Sequence, residues 1–354
     1  MFETILVDHC IRCHNDKGMA PFSLETYEQA RPWAKSIARA VSSRDMPPFA
    51  AEGPIGYFID DARLTESEIQ TIIEWTETPK RYNPLTVVVP ASVEGDITVK
   101  FIDPSYSDGT EHWFYVPMIP VGGGFTEDTP ISDIFWDTVL PIHHAALFMA
   151  PKTALLQSLE TDRTRSSDIP GAVPIPRSRF SPGDTVSGSP DGHVTTIPKD
   201  YTLIAAIHFA PIKNIINVDK EIRVKLKRGT GTELPPAFTF NAINEIKELF
   251  PGRNERKIAF NVTERMLIHS AWAHMHELGE SVIVKLNGKV IFSIADYNAD
   301  WQLDYSFAEP IEVCSGDVLE CIFVWQNTTH KIVRHGSSIK DEMGIVELLW
   351  VKYD

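Results

Sequence analysis

Tyr201-Thr202-Leu203-Ile204-Ala205-Ala206-Ile207-His208-Phe209 carries no Asp, Glu, Lys or Arg and is dense in β-branched and aromatic side chains. A short apolar run of this kind reads as a buried strand. The same texture recurs at Leu85 to Val89, Glu221 to Leu226, Ser281 to Leu286 and Val318 to Trp325, with Pro-, Gly- and Asn-rich turns between. That pattern predicts antiparallel β-sandwiches, and the length of chain past residue 80 suits two of them better than one. The Pro/Ser/Gly-rich stretch from Thr164 to Pro198 reads as a long surface loop of the first sandwich. A boundary is expected near Pro211 to Val218, giving domains 81–213 and 214–354. There is no internal repeat.

Toward the N-terminus the texture turns helical. Tyr27 to Ser43 has helical apolar spacing, and Thr65-Glu66-Ser67-Glu68 reads as a capping box opening a helix through Trp75, before Pro79. Residues 1–80 form the expected first domain. They contain Cys10-Ile11-Arg12-Cys13-His14, the CxxCH pattern of covalent c-type haem attachment. Two thiols three positions apart on one turn reach the two vinyl groups of one haem, and the adjacent His14 meets the iron. A zinc half-site would want a second Cys/His pair nearby, and none occurs before His112. A redox CxxC would need a βαβ context that this region lacks. Met46, stiffened by Pro47 and Pro48, is the expected sixth iron ligand, with Met19 as competitor.

Haem of this type is attached outside the bacterial cytoplasm, so a periplasmic or secreted protein is expected. Phe2 to Val7 is too short for a signal-peptide core, which puts a leader upstream of this sequence. The chain has four cysteines; the other two, Cys314 and Cys321, flank a turn, and the spacing leaves a disulfide open.

Of the 354 residues 43% are hydrophobic and 23% charged, ordinary for a globular chain. The net charge of −15 supplies no basic field for nucleic acid or anionic membranes. No apolar run approaches the ~20 residues that cross a bilayer.

The twelve histidines are unevenly placed. His143-His144 are adjacent, and neighbours on a strand point to opposite faces unless a bulge or strand end intervenes. His208 closes the strand quoted above. His274-Met275-His276 is an HxH, which on a strand puts both imidazoles on one face, close enough for one metal. Asp341-Glu342-Met343 lies near the C-terminus.

In that order, from about residue 95 on, these motifs resemble the bacterial relatives of the copper type II, ascorbate-dependent monooxygenases, the class of peptidylglycine α-hydroxylating and dopamine β-monooxygenases. Leu278-Gly279, Asp300-Trp301-Gln302-Leu303 and Ala308-Glu309-Pro310 are similar too. So are Ala20 to Leu24, Tyr27 to Ala34 and Met46 to Phe49 in the N-terminal part, which resembles a class I cytochrome c. The resemblance implies a small all-α cytochrome c domain followed by two all-β, jelly-roll-like antiparallel sandwiches. It implies covalent haem c on Cys10, Cys13 and His14 with Met46, one copper on His143, His144 and His208, and a second on His274, His276 and Met343. The soft thioether favours Cu(I), the state that meets O₂. The implied activity is hydroxylation of a C–H bond of a small-molecule substrate with O₂ and an electron donor, electrons entering through the haem and the three-His copper. A non-catalytic electron-transfer or copper-binding protein, and a copper oxidase or peroxygenase, are the alternatives. Where peptide-amidating members carry an Arg and a Tyr, this chain has Trp272 and Glu347, which disfavour a carboxylate substrate and suit a neutral or cationic one, unless Glu347 pairs with a neighbour such as Lys285. Oligomeric state is not legible.

Overall fold

The computed structural model describes residues 2–16, 20–59, 61–86, 97–102, 116–118, 125–137, 142–155, 169–181, 187–209, 221–242, 247–336 and 341–353. It is mostly β, in several antiparallel sheets with few helices. Two compact units emerge. One comprises Met1–Ser43 and Glu66–Leu234; the other comprises Arg44–Thr65 and Pro235–Asp354. The expected boundary at 211–218 lies outside the described residues.

In the first unit the helices are α1 (Phe2–Ile5), continued by a π-turn over Leu6–Cys10, α2 (Tyr27–Ala30), α3 (Ala34–Ser42) and α4 (Glu66–Glu77). The single helix expected over 27–43 is broken by a 3₁₀ turn at Arg31–Trp33, where Pro32 lacks an N–H to continue the ladder. Thr26 and Gln29 form a reciprocal capping box at the start of α2. Leu6, Ile11, Leu24, Ala30, Ala34 and Trp75 make one small core, with Phe2 stacked on Trp75 at 4.5 Å.

The strands of this unit are β1 (Ile97–Ile102), β2 (Val116–Met118), β3 (Thr129–Asp137), β4 (Ile142–Pro151), β5 (Val173–Pro174), β6 (Ser187–Gly188), β7 (His193–Ile197), β8 (Tyr201–Phe209), β9 (Glu221–Arg228) and β10 (Thr232–Glu233). One sheet has the order β1-β9-β3-β7-β10, with β6 beside β3, and the other the order β2-β8-β4-β5. Ile131, Ile134, Val224 and Leu226 of one share a core with Leu147, Leu203, Ala205 and Ile207 of the other. The stretch 164–198 is therefore no simple loop. Its described part supplies β5, β6 and β7, and buries Ile169, Ile175, Val194 and Ile197.

The second unit holds β11 (Phe238–Asn241), β12 (Gly252–Asn261), β13 (Met266–Met275), β14 (Gly279–Leu286), β15 (Lys289–Ile294), β16 (Tyr305–Val313), β17 (Val318–Asn327) and β18 (Gly344–Lys352). Its sheets run β11-β18-β13-β16 and β12-β17-β14-β15. Between them pack Phe240, Met266, Ile268, Ala271, Val282, Phe292, Leu319, Phe323 and Trp325. The segment 44–65 closes this core. Phe58 is 2% exposed, and Phe49 and Tyr57 pack beside it. The backbone N–H of Glu52 donates to Ser293 O at 2.8 Å, that of Ile59 to Ser306 O at 2.8 Å, and that of Ala308 to Tyr57 O at 3.0 Å. Tyr57 Oη donates to Ile291 O at 3.0 Å.

Alternation in β13 changes phase partway along. Met266 and Ile268 point into the core, then the register shifts between Ile268 and Ser270, and Ala271, Ala273 and Met275 point in instead. The bulge thereby turns Trp272 and His274 to the opposite face. In β17 the odd residues Leu319, Cys321, Phe323 and Trp325 face the core. Cys321 is thus buried in the sheet interior while Cys314 is exposed beyond the end of β16, and both are free thiols. The disulfide left open by the sequence is not formed.

Candidate metal centres

In the second unit the HxH lies where β13 ends against β18. The antiparallel register pairs Trp272 with Glu347, His274 with Ile345 and Met275 with Gly344. The next residues out along the two strands are His276 and Met343, so the topology brings the expected His-His-Met set to one strand end. The rings of His274 and His276 lie 5.1 Å apart and nearly perpendicular, at 85°.

Each imidazole is held through its Nδ1. For His274 the partner is Gln302 Oε1 at 2.7 Å, and for His276 it is the main-chain oxygen of Asp341 at 2.9 Å. A ring whose Nδ1–H donates to an oxygen keeps its Nε2 lone pair for a metal, which is how ligating histidines are usually oriented. Burial lowers the pKa of His276, favouring the neutral form that ligation needs. Two glycines permit the close packing around the site. A Cβ on Gly279 would come within 2.8 Å of Met275 Cβ, and one on Gly344 within 2.7 Å of the Trp325 ring. Tyr297 Oη clamps Met275 from both sides, accepting from its N–H at 2.8 Å and donating to its carbonyl at 3.1 Å.

Beneath the ligand positions lies a carboxylate that sequence reading quoted but gave no role. Glu342 is fully buried. Its Oε1 accepts from the N–H of Leu278 at 2.7 Å. Its Oε2 accepts from the N–H groups of His276 at 3.1 Å and Met343 at 3.2 Å and from Trp325 Nε1 at 3.1 Å. Burial pushes its pKa up to about 7 against the pull of these donors. Gln302 was likewise part of a quoted motif without an assigned role, since one Gln in a loop carries no periodic signal.

Trp272 stacks on His274, with ring centroids 5.6 Å apart and planes at 7°, and donates from Nε1 to Gln302 O at 3.3 Å. As registered partners on the face away from the core, Trp272 and Glu347 share the face of His274. Lys285 lies 3.9 Å from Glu320 across β14 and β17.

In the first unit, β4 pairs with β8 so that His144 stands opposite His208, and the register shifts between Ile142 and His144. The irregularity expected from adjacent histidines falls on His143. His144 is buried at 7% exposure; the side chains of His143 and His208 lie outside the described part.

The CxxCH closes one turn. The N–H groups of Cys13 and His14 donate to Cys10 O at 3.2 and 3.0 Å. His14 Nδ1 donates to Phe22 O at 2.9 Å, and Phe22 is stacked on Trp33 at 4.3 Å. Burial lowers the pKa of His14 and pushes the Cys10 thiol up to about 12. A neutral imidazole suits iron ligation. Met46 is 37% exposed and belongs to the second unit; Met19 lies outside the described residues. Among the described residues no three His, Cys, Asp or Glu side chains gather into a ready metal cage.

No family model matches the chain, and no curated protein does. Among solved structures it is similar to the cowpea mosaic virus top component (naturally occurring empty particles), at 9% identity over 75% of this chain and 91% of that one, TM-score 0.29. It is also similar to the major capsid protein P2 of bacteriophage PM2, at 9% identity over 73% of this chain and 98% of that one, TM-score 0.27. Likeness at that level does not bear on fold or activity.

Proposed function

We propose that this chain is an exported copper monooxygenase of the ascorbate-dependent type II class, with jelly-roll-like sandwiches and a cytochrome c-like N-terminal part. One observation carries the reading. His274 and His276 stand with Nδ1 engaged and their rings 5.1 Å apart, at the strand end where Met343 is the next residue across. Neutral imidazoles beside a thioether are the donor set for copper, above all Cu(I). His143, His144 and His208 would hold a second copper by the pairing of β4 with β8, and Cys10, Cys13 and His14 would hold haem c.

When bound, copper at the His-His-Met set supplies O₂ activation, and the haem and the all-His copper supply electrons. The protein's own part is orientation. Gln302 and Asp341 fix the two imidazole tautomers, and Trp272 and Glu347 shape the face where a substrate would lie. An indole and a carboxylate beside the site favour a neutral or cationic small molecule over a carboxylate.

The test is copper stoichiometry with X-ray absorption on reduced, copper-loaded protein. Two coppers per chain are expected, with a Cu–S scatterer that Met343→His abolishes. A sulfur signal that survives this substitution refutes the site. O₂ consumption with candidate C–H substrates then separates an oxygenase from an electron-transfer protein.

A further inference from the structure

The His-His-Met centre draws its ligands from separate pieces of chain, the end of β13 and the residue before β18. A preformed site rarely exists in the unfolded chain, so whatever holds the two pieces in register in the fold lowers the cost of metal binding.

We infer that Glu342 is the positioning residue of this centre. Its one side chain fixes the backbone on both sides of the ligand gap. His276 and Leu278 are gripped on one piece of chain, and Met343 on the other, through the three N–H groups described above. Trp325 Nε1 anchors the carboxylate to β17 of the facing sheet. The main chain of Glu342 is sewn down as well. Its N–H donates to Arg334 O at 3.0 Å, and its carbonyl accepts from the N–H of Gly336 at 3.3 Å. The preceding residue completes the arrangement, because the carbonyl of Asp341 sets the rotation of the His276 ring. A wholly buried carboxyl is costly unless its acceptor sites are filled. Four donors fill them here, and three of the four belong to the two ligand-bearing pieces. A core acid with no part in the site would have no reason to spend its hydrogen bonds there.

The identity of the metal rests on the copper reading; the positioning role does not. Glu342→Gln keeps the shape but replaces one acceptor oxygen with an NH₂ group that faces donors. In metal-free protein, the amides of His276, Leu278 and Met343 should exchange with solvent at least about tenfold faster, while those of β12 and β17 keep their rates. In the reduced, copper-loaded protein, Cu(I) affinity measured against a competing chelator should fall about 10–100-fold, the usual loss for an outer-shell partner. The Cu–S scatterer should be lost with it. A folded Glu342→Gln protein with wild-type Cu(I) affinity overturns the inference whatever its amides do. If wild-type protein takes up no Cu(I), the copper reading fails, and the exchange rates alone decide the positioning role: unchanged rates overturn it, local acceleration upholds it. Should Glu342→Gln fail to fold, Glu342→Asp decides by the same two measurements, since its shortened carboxylate cannot reach both pieces at once.

Discussion

Gln302 is locked in one orientation against His274. Its Nε2 donates to Ala299 O at 2.8 Å, which leaves Oε1 facing His274 Nδ1 at 2.7 Å. An oxygen there can only accept, so it selects the His274 tautomer with a proton on Nδ1. Gln302→Leu should therefore weaken metal binding at His274 about 10–100-fold, with the fold retained. Gln302→Glu, which keeps an acceptor, should lose much less. Equal affinities for the two variants in a Cu(I) competition titration would rule out this role.

Haem attachment gives a prediction independent of copper. Protein made alongside a c-type haem maturation system should keep its haem through acid and organic-solvent extraction, because two thioether bonds hold it. Cys13→Ala should retain haem through one bond, with a shifted reduced pyridine-haemochrome band. Haem that extracts freely from the wild-type protein would remove Cys10, Cys13 and His14 as an attachment site.

The metal-free second unit should show two opposed pH dependences. Burial lowers the pKa of His276 below 6.5, so its contribution to stability is present above 6.5 and lost as the unfolded chain takes up protons on acidification. Burial raises Glu342 from 4.5 to about 7, so its contribution is present below 4.5 and lost as pH rises through about 7. Between those limits the two partly cancel. On going from neutral to acid pH, His276→Asn should gain stability relative to wild type and Glu342→Gln should lose it. Denaturant titrations at a series of pH values check this, and three parallel profiles would contradict it.

Phe58 should matter far from its place in the sequence. It touches the rings of Phe49, Tyr57, Tyr305 and Phe307 at centroid distances of 4.9–5.7 Å. Phe58→Ala should destabilise the second unit by about 3–5 kcal/mol, the usual cost of emptying such a site. Unfolding followed by a probe in β12–β18 measures it. A change under about 1 kcal/mol would mean that the segment 44–65 is dispensable to that core.

Strands whose signal is local are legible in the sequence. Tyr201–Phe209 is found with the bounds its composition suggests, and the adjacent histidines correctly require an irregularity in β4. The phase of β13 at Trp272 and His274 is set by a bulge between Ile268 and Ser270 that alternation alone does not announce. What the sequence hides is long-range. The segment 44–65 has no periodicity of its own and takes its order from β15 and β16. In 187–197 the Ser, Pro and Gly residues mask a short β-branched strand. Gln302 and Glu342 declare themselves only when the fold sets them beside a ring and four N–H groups.

The segment 44–65 also sets a schedule for synthesis. Its contacts with β15 span 241 residues from Glu52 to Ser293 and 234 from Tyr57 to Ile291. At a translation rate of ~5–20 residues per second, this piece leaves the ribosome on the order of ten to fifty seconds before the strands that receive it. For that interval Phe49, Tyr57 and Phe58 are an apolar hook on the nascent chain with nothing to engage. The C-terminal sandwich cannot finish folding as a trailing independent module, because it must capture a segment emitted long before it. A gene cut at residue 235 would leave that sandwich without part of its own interior.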